Sequence, residues 1–200
     1  VGFEEARAGI YSVYLGLTGG SYVLAPEVQA DAFNAVADFS NKYGELHRWT
    51  FESTNSTVET IWANCYAAIG RANFFIDGVG KIDENPEIEL TEIQKQQINV
   101  YEGEAYFTRA YCYFYLATLF CRDYDVATAA NTPGLPLQVK YEPQLAATQY
   151  PGRSSLEDTY KQILEDLEEA EVRIETAKNG IADYDRYING AYVTVKTAPQ

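Results

Sequence analysis

One histidine, His47, and three cysteines, Cys65, Cys112 and Cys121, are the chain's entire stock of soft metal ligands. No Cys-x-x-Cys pair and no second histidine accompany them, so neither a zinc site nor a disulfide framework is expected. All three thiols lie in apolar or aromatic runs and read as small buried hydrophobes. His47 has no Gly-x-Ser-x-Gly, His-Glu-x-x-His, Walker A or Gly-x-Gly-x-x-Gly pattern to work with. The pairs Asp123/Asp125 and Asp183/Asp185 are spaced as in calcium loops, without the glycine and terminal glutamate of an EF-hand. Glu165, Asp166, Glu168, Glu169 and Glu171 fall on one helix surface instead of flanking a cleft, which argues against glycoside hydrolysis and for a solvated face. Asn55-Ser56-Thr57 spells a glycosylation sequon but makes better sense as a helix start. No catalytic residue, no metal and no cofactor is expected, and the chain is read as not an enzyme.

Aromatic side chains are the conspicuous chemistry: 17 tyrosines, 9 phenylalanines and 2 tryptophans in 200 residues. With 29 acidic against 15 basic residues the net charge is −14, which repels polyanions, so no nucleic-acid partner is expected. There is no run of 18 apolar residues, and Val1-Gly2-Phe3-Glu4-Glu5 lacks the basic end and apolar stretch of a leader, so the chain itself is expected to be soluble. Export stays compatible with this reading, since a mature form has already lost its targeting segment.

The elements that must position these groups are helices. Phe3, Ala6, Ile10, Val13, Tyr14 and Leu17 fall at helical steps and stop at Gly19-Gly20. Val58, Ile61, Trp62, Cys65, Ile69, Ala72, Ile76 and Val79 mark a second helix, opened by a capping box at Ser56 to Glu59 and ended by Gly78 and Gly80; Trp62 falls on its core face. A third runs from a capping box at Thr91 to Gln94 as far as Phe120, with Gly103 inside it signalling the close approach of a neighbour. The fourth opens at Ser154-Ser155 and turns Leu156, Tyr160, Ile163, Leu164, Leu167, Ala170 and Ile174 inward. The long connections 18–55 and 123–153 are suspect as functional segments. Four of the seven prolines lie in the second, which reads as an extended segment laid over helices. Tyr22-Val23-Leu24 is the best strand candidate. The fold class is all-α, built from antiparallel helix pairs with long decorated loops, without a strict tetratricopeptide pattern.

The third helix, Tyr101-Glu102-Gly103-Glu104-Ala105-Tyr106-Phe107-Thr108-Arg109-Ala110-Tyr111-Cys112-Tyr113-Phe114-Tyr115-Leu116, closely resembles the "G-E-A-x-F-x-R-A-x-x-Y-F-x-L" helix of the SusD/RagB family of outer-membrane nutrient-binding lipoproteins. Trp62 to Asn73 is similar to that family's "W-x-x-x-Y-x-x-I-x-x-A-N" helix, and Glu27 to Asp31 to its early "E-x-x-x-D" segment. Gly134-Leu135-Pro136-Leu137 resembles its "G-x-P-L" loop, and Tyr160 to Ala170 its "Y-x-x-I-x-x-D-L-x-x-A" helix. The matches keep their order over residues 3–190. After Ile188-Asn189-Gly190-Ala191 the chain departs from the family pattern into Tyr192 to Gln200, and the lipid-bearing cysteine is not in this sequence.

The resemblance implies a tetratricopeptide-like scaffold, with residues 1–200 forming a single N-terminal helical domain of a longer protein. It further implies a surface position outside the outer membrane through a lipid anchor in the full-length protein. Oligosaccharide or polysaccharide ligands would be captured for a TonB-dependent, SusC-like transporter, without catalysis. Sugar recognition wants an aromatic face against a pyranose ring and planar polar groups at its rim. Trp49, Asp31, Arg48, His47 and Asn55 offer such a set in the loop that, in the family, commonly lends an aromatic to the ligand. Packing of Trp49 as a loop anchor, with Asp31 bracing a turn, is the competing reading. Arg109 and Asn73 are expected to pair structurally, and Tyr106, Tyr111, Tyr113, Tyr115 and Tyr124 to pack between helices. Tyr141 and Tyr150 are freer loop aromatics. The alternative function is a helical-repeat protein interaction module without sugar binding.

Overall fold

The computed structural model describes residues 2–36, 43–144, 146 and 149–180. Asp183/Asp185 and the departure after Ala191 lie outside the described residues. Among the described residues six α-helices carry the fold: α1 (Phe3–Leu17), α2 (Ser21–Gln29), α3 (Gly44–His47), α4 (Ser56–Asp83), α5 (Glu92–Phe120) and α6 (Leu156–Gly180). Between α5 and α6, β1 (Pro133–Pro136) pairs antiparallel with β2 (Arg153–Ser155). Contacts run in opposite chain directions along α1/α4, α4/α5 and α5/α6, whereas α1 and α5 lie parallel, Arg7 meeting Glu104 and Tyr14 meeting Tyr111. Phe3 meets Phe75 while Arg71 reaches the Gly9 carbonyl, and Trp62 meets Phe120 at the far end of α4 and α5. The all-α, antiparallel architecture therefore stands, with a two-stranded ribbon added.

Apolar residues at helical spacing form two adjoining core clusters. Ile61, Cys65, Ile69, Tyr113, Leu116 and Leu135 fill one, and Ile10, Ala72, Phe75, Val100, Tyr101 and Ala105 the other. Cys65 and Cys112 are buried as expected, whereas Cys121 is only partly so. Arg7 clamps α1 to α5 by two 2.6 Å bonds to Glu104. Gly103 lets α6 approach closely: a Cβ there would stand 2.8 Å from Ile174 Cγ1 and 3.1 Å from the Ala170 carbonyl.

Several details differ from the sequence reading. The cap of α4 is Asn55, one residue early, whose Oδ1 accepts from the amides of Thr57 and Val58 at 3.0 and 3.3 Å. That helix runs through Gly78 and Gly80, neither of which has the positive φ that would end it. Tyr22, Val23 and Leu24 are helical. Gly20, at φ +57°, turns the corner from α1 into α2. Pro26 inside α2 has no N–H for the Tyr22 carbonyl, and the Tyr115 hydroxyl donates to that carbonyl in its place. On α6 the inner face is rotated: Leu156, Thr159, Ile163, Asp166 and Ala170 are buried, while Leu164 and Leu167 are exposed. Asp166 is thus no part of a solvated acidic face; at 1% exposure it is the partner of Arg109.

Candidate functional site

Three of the five residues singled out before α4, Asp31, His47 and Trp49, gather at the C-terminal end of α2, where helix carbonyls lack intrahelical donors. His47 Nδ1 lies 3.4 Å from the Val28 carbonyl and 3.6 Å from the Asp31 carboxylate. Trp49 donates its indole N–H to the Gln29 carbonyl at 3.3 Å. Asn55 spends its oxygen on the α4 cap and gives its Nδ2–H to Glu45 at 2.9 Å, so its amide braces the loop. Arg48 caps the end of α3 and is exposed. Structure thus brings Asp31, His47 and Trp49 together around one helix end, with Asn55 occupied beneath.

Trp49 serves both readings at once. Its N–H anchors the loop, yet the side chain is 65% exposed, tilted beside Phe51 at 6.2 Å between ring centroids. Backbone conformation sets this corner apart. Asp31 (φ +59°), Tyr43 (φ +62°) and Trp49 (φ +54°) hold left-handed φ, which aspartate tolerates and a bulky indole-bearing residue rarely adopts. Such a conformation costs roughly 1–3 kcal/mol, and it is a cost concentrated at functional sites.

Behind Trp49 opens a cavity of about 440 Å³ between α2, the 51–53 segment, α4 and the end of α5. Phe51, Trp62 and Phe120 give it aromatic walls, and Gln29, Ser53 and Glu59 supply planar or hydroxyl groups. Trp62 packs against the core, as its helical position predicts, and also forms a wall of the cavity. It is half-buried, 5.0 Å from both Tyr66 and Phe120, and turns part of its ring to the cavity. None of the five residues chosen from sequence lines the cavity itself; Trp49 reaches it through Phe51. Trp62 was hidden among the helical positions of α4, where an apolar period cannot tell a core face from a groove wall.

A family model of SusD-like proteins, described as "Starch-binding associating with outer membrane", matches residues 20–177. The chain belongs to the SusD-like family. Within this family it is 29% identical over 118 residues to SusD-like protein P2 of Formosa agariphila, a match covering 56% of this chain and 22% of that protein. A SusD superfamily protein from Bacteroides thetaiotaomicron, solved as a crystal structure, superposes with a TM-score of 0.62 at 19% identity, over 85% of this chain and 37% of that one. The SusD-like chain thus spans about a fifth of its curated relative and somewhat over a third of the solved one. Among its described residues no helix is long and apolar enough to cross a membrane.

Electrostatics elsewhere in this SusD-like scaffold centre on Glu102, buried between α5 and α6. Burial pushes its carboxyl up to about 7; Arg173, 3.0 Å away, opposes the shift, while Asp83 and Glu169 add to it. A carboxyl with a folded pKa above its unfolded value binds its proton more tightly when folded, so its contribution to stability is greatest at low pH and is lost as pH rises through about 7. Glu102→Gln is accordingly expected to raise the thermal midpoint relative to wild type at pH 8 and to shrink that gain at pH 5. Melting curves at both pH values check it, and a variant less stable than wild type at pH 8 would show that the Arg173 pair outweighs burial.

Proposed function

We propose that this chain is the glycan-capturing N-terminal helical domain, residues 1–200, of a longer surface lipoprotein. It acts without catalysis in an outer-membrane polysaccharide uptake complex and passes ligand to a TonB-dependent transporter. One observation carries the reading: an exposed Trp49, held in a left-handed backbone conformation, stands beside an aromatic-walled groove rimmed by Gln29 and Glu59. An indole face packs against the C–H face of a pyranose, and planar amide and carboxylate groups take its hydroxyls. Family membership, with its starch-binding description, supports the same ligand class. Of the five loop residues, Trp49 would contact sugar, Asp31, His47 and Arg48 would meet its hydroxyls from the loop outside the groove lining, and Asn55 would hold the loop to α4.

The test is titration of this chain with a panel of neutral oligosaccharides, followed by Trp49→Ala. That variant is expected to weaken binding about tenfold, in line with roughly 1.5 kcal/mol for an aromatic stack, with the thermal midpoint almost unchanged because the ring is exposed. A large drop in midpoint with affinity preserved would identify Trp49 as a loop anchor only.

A protein-interaction role draws on a different observation. Tyr11 and Leu15 of α1 and Phe107 and Phe114 of α5 are exposed, and Tyr14 and Tyr111 link the two helices through ring contacts. An aromatic face of this kind suits a protein partner, and the two functions are compatible on one scaffold.

A further inference from the structure

The segment after β1 is held with unusual thoroughness for a surface connection. Tyr66 donates to the Pro136 carbonyl at 2.8 Å, and Asn73 to the Gln138 and Lys140 carbonyls at 2.8 and 3.2 Å. Tyr113 both donates to the Gln138 carbonyl (2.9 Å) and accepts from its amide (2.7 Å). Arg109 reaches the Val139 carbonyl at 3.2 Å, and Asp77 accepts the Tyr141 amide at 2.9 Å. Each bond goes to main chain. The buried Arg109–Asp166 pair and Asn73 thereby fix a strap whose side chains Lys140, Tyr141 and Glu142 are exposed.

Facing the strap is the returning chain with Gln149 and Tyr150, and between them lies a cleft of about 300 Å³ that Gly70 and Asn73 also line. Tyr141 is 39% exposed and Tyr150 60%, while Phe74 packs edge-on against Tyr141 at 5.0 Å and fixes its ring. Beside apolar Leu137, Val139, Pro143 and Pro151, the further polar groups are the amides of Gln138 and Gln149 and one opposite-sign pair of side chains, Lys140 and Glu142. Two open phenol faces, planar amides and no net charge suit a neutral polyhydroxylated ring better than an anion or a cation. A volume at the small end of ligand sites fits one or two sugar units of a longer chain. No residue is shared with the lining of the Trp49 groove.

We propose that this cleft is a second saccharide subsite, preorganised by the strap and separate from the Trp49 groove. It rests on the glycan reading given above. Isothermal titration of this chain with maltoheptaose, xylohexaose, laminarihexaose and mannohexaose tests both. For whichever probe binds, Tyr141→Ala/Tyr150→Ala is expected to weaken binding at least fivefold, with an unchanged circular-dichroism melt. Gly70→Leu is expected to do the same by filling the cleft, since a Cβ at Gly70 meets nothing within 4 Å; this variant leaves both tyrosines in place and reads the site even if the double variant folds poorly. Wild-type isotherms from both variants would overturn the second subsite and leave the Trp49 reading standing. Failure of all four probes to bind wild type would instead overturn the glycan reading, and this inference with it.

Discussion

Asp166→Ala is expected to cost about 3–5 kcal/mol of unfolding free energy, the range for removing one partner from a buried ion pair. Asp166 accepts from Arg109 Nε at 2.8 Å and Nη2 at 2.6 Å, with Gln162 donating a third bond at 2.9 Å. Both charged side chains are nearly sealed from water, at 5% and 2% exposure. Without the carboxylate, the guanidinium keeps its charge and its burial and is left with uncharged neighbours, among them Asn73, the Val139 carbonyl and the Tyr106 ring. Glu165→Ala, one residue away and half exposed, is expected to change stability by under about 0.5 kcal/mol. Urea unfolding of the two variants checks the contrast. A loss below 1 kcal/mol for Asp166→Ala would show that water enters and solvates Arg109.

Gly134→Ala is expected to be damaging for a purely steric reason. A Cβ at Gly134 would lie 2.2 Å from Thr159 Oγ1 and 2.3 Å from the Ser155 carbonyl oxygen. The second neighbour is backbone at the junction of β2 and α6, where Thr159 also accepts the Leu135 amide at 3.0 Å and Ser154 donates to the Leu135 carbonyl at 2.8 Å. No flexible side chain can yield here, so the cost is expected at about 3 kcal/mol, the top of the overpacking range. Gly103→Ala, which presses chiefly on the movable end of Ile174, is expected to cost less. Equilibrium unfolding ranks the two, and equal costs would mean that β1 shifts away from α6.

Helical periodicity made α1, α4, α5 and α6 legible, because each buries an apolar stripe, and side-chain caps mark the starts of α4 and α5. The capping box at Thr91 and Gln94 forms as its spacing predicts. Gly103 signalled a close neighbour, and the proline-rich 123–153 connection an extended segment over helices; both describe the structure. What misled was local composition overruled by tertiary partners. Tyr22 to Leu24 looks strand-like, but Tyr22 is buried and receives the Asn64 amide, so helix α2 forms around it. Asp166 is the D of the family-like 160–170 helix, but composition groups it with its neighbouring glutamates, and its partner lies 57 positions away. In the groove, Trp49 announced itself as a loop aromatic, while Phe51, Trp62 and Phe120 are gathered by folding from three separate segments. The structural roles expected of Arg109 and Asn73 proved right in kind; that the extended 123–153 segment would be their target was not legible, since the bonds go to its main chain.

Because the strap is gripped by its carbonyls and amides, its register does not depend on which residues occupy positions 140–142. Natural drift could rewrite Lys140, Tyr141 and Glu142 without disturbing an anchoring bond, so a lineage can change what it recognises while inheriting the same frame. For an engineer the same feature makes this stretch a place to randomise: diversity introduced there meets a backbone already fixed by Tyr66, Asn73, Arg109 and Tyr113.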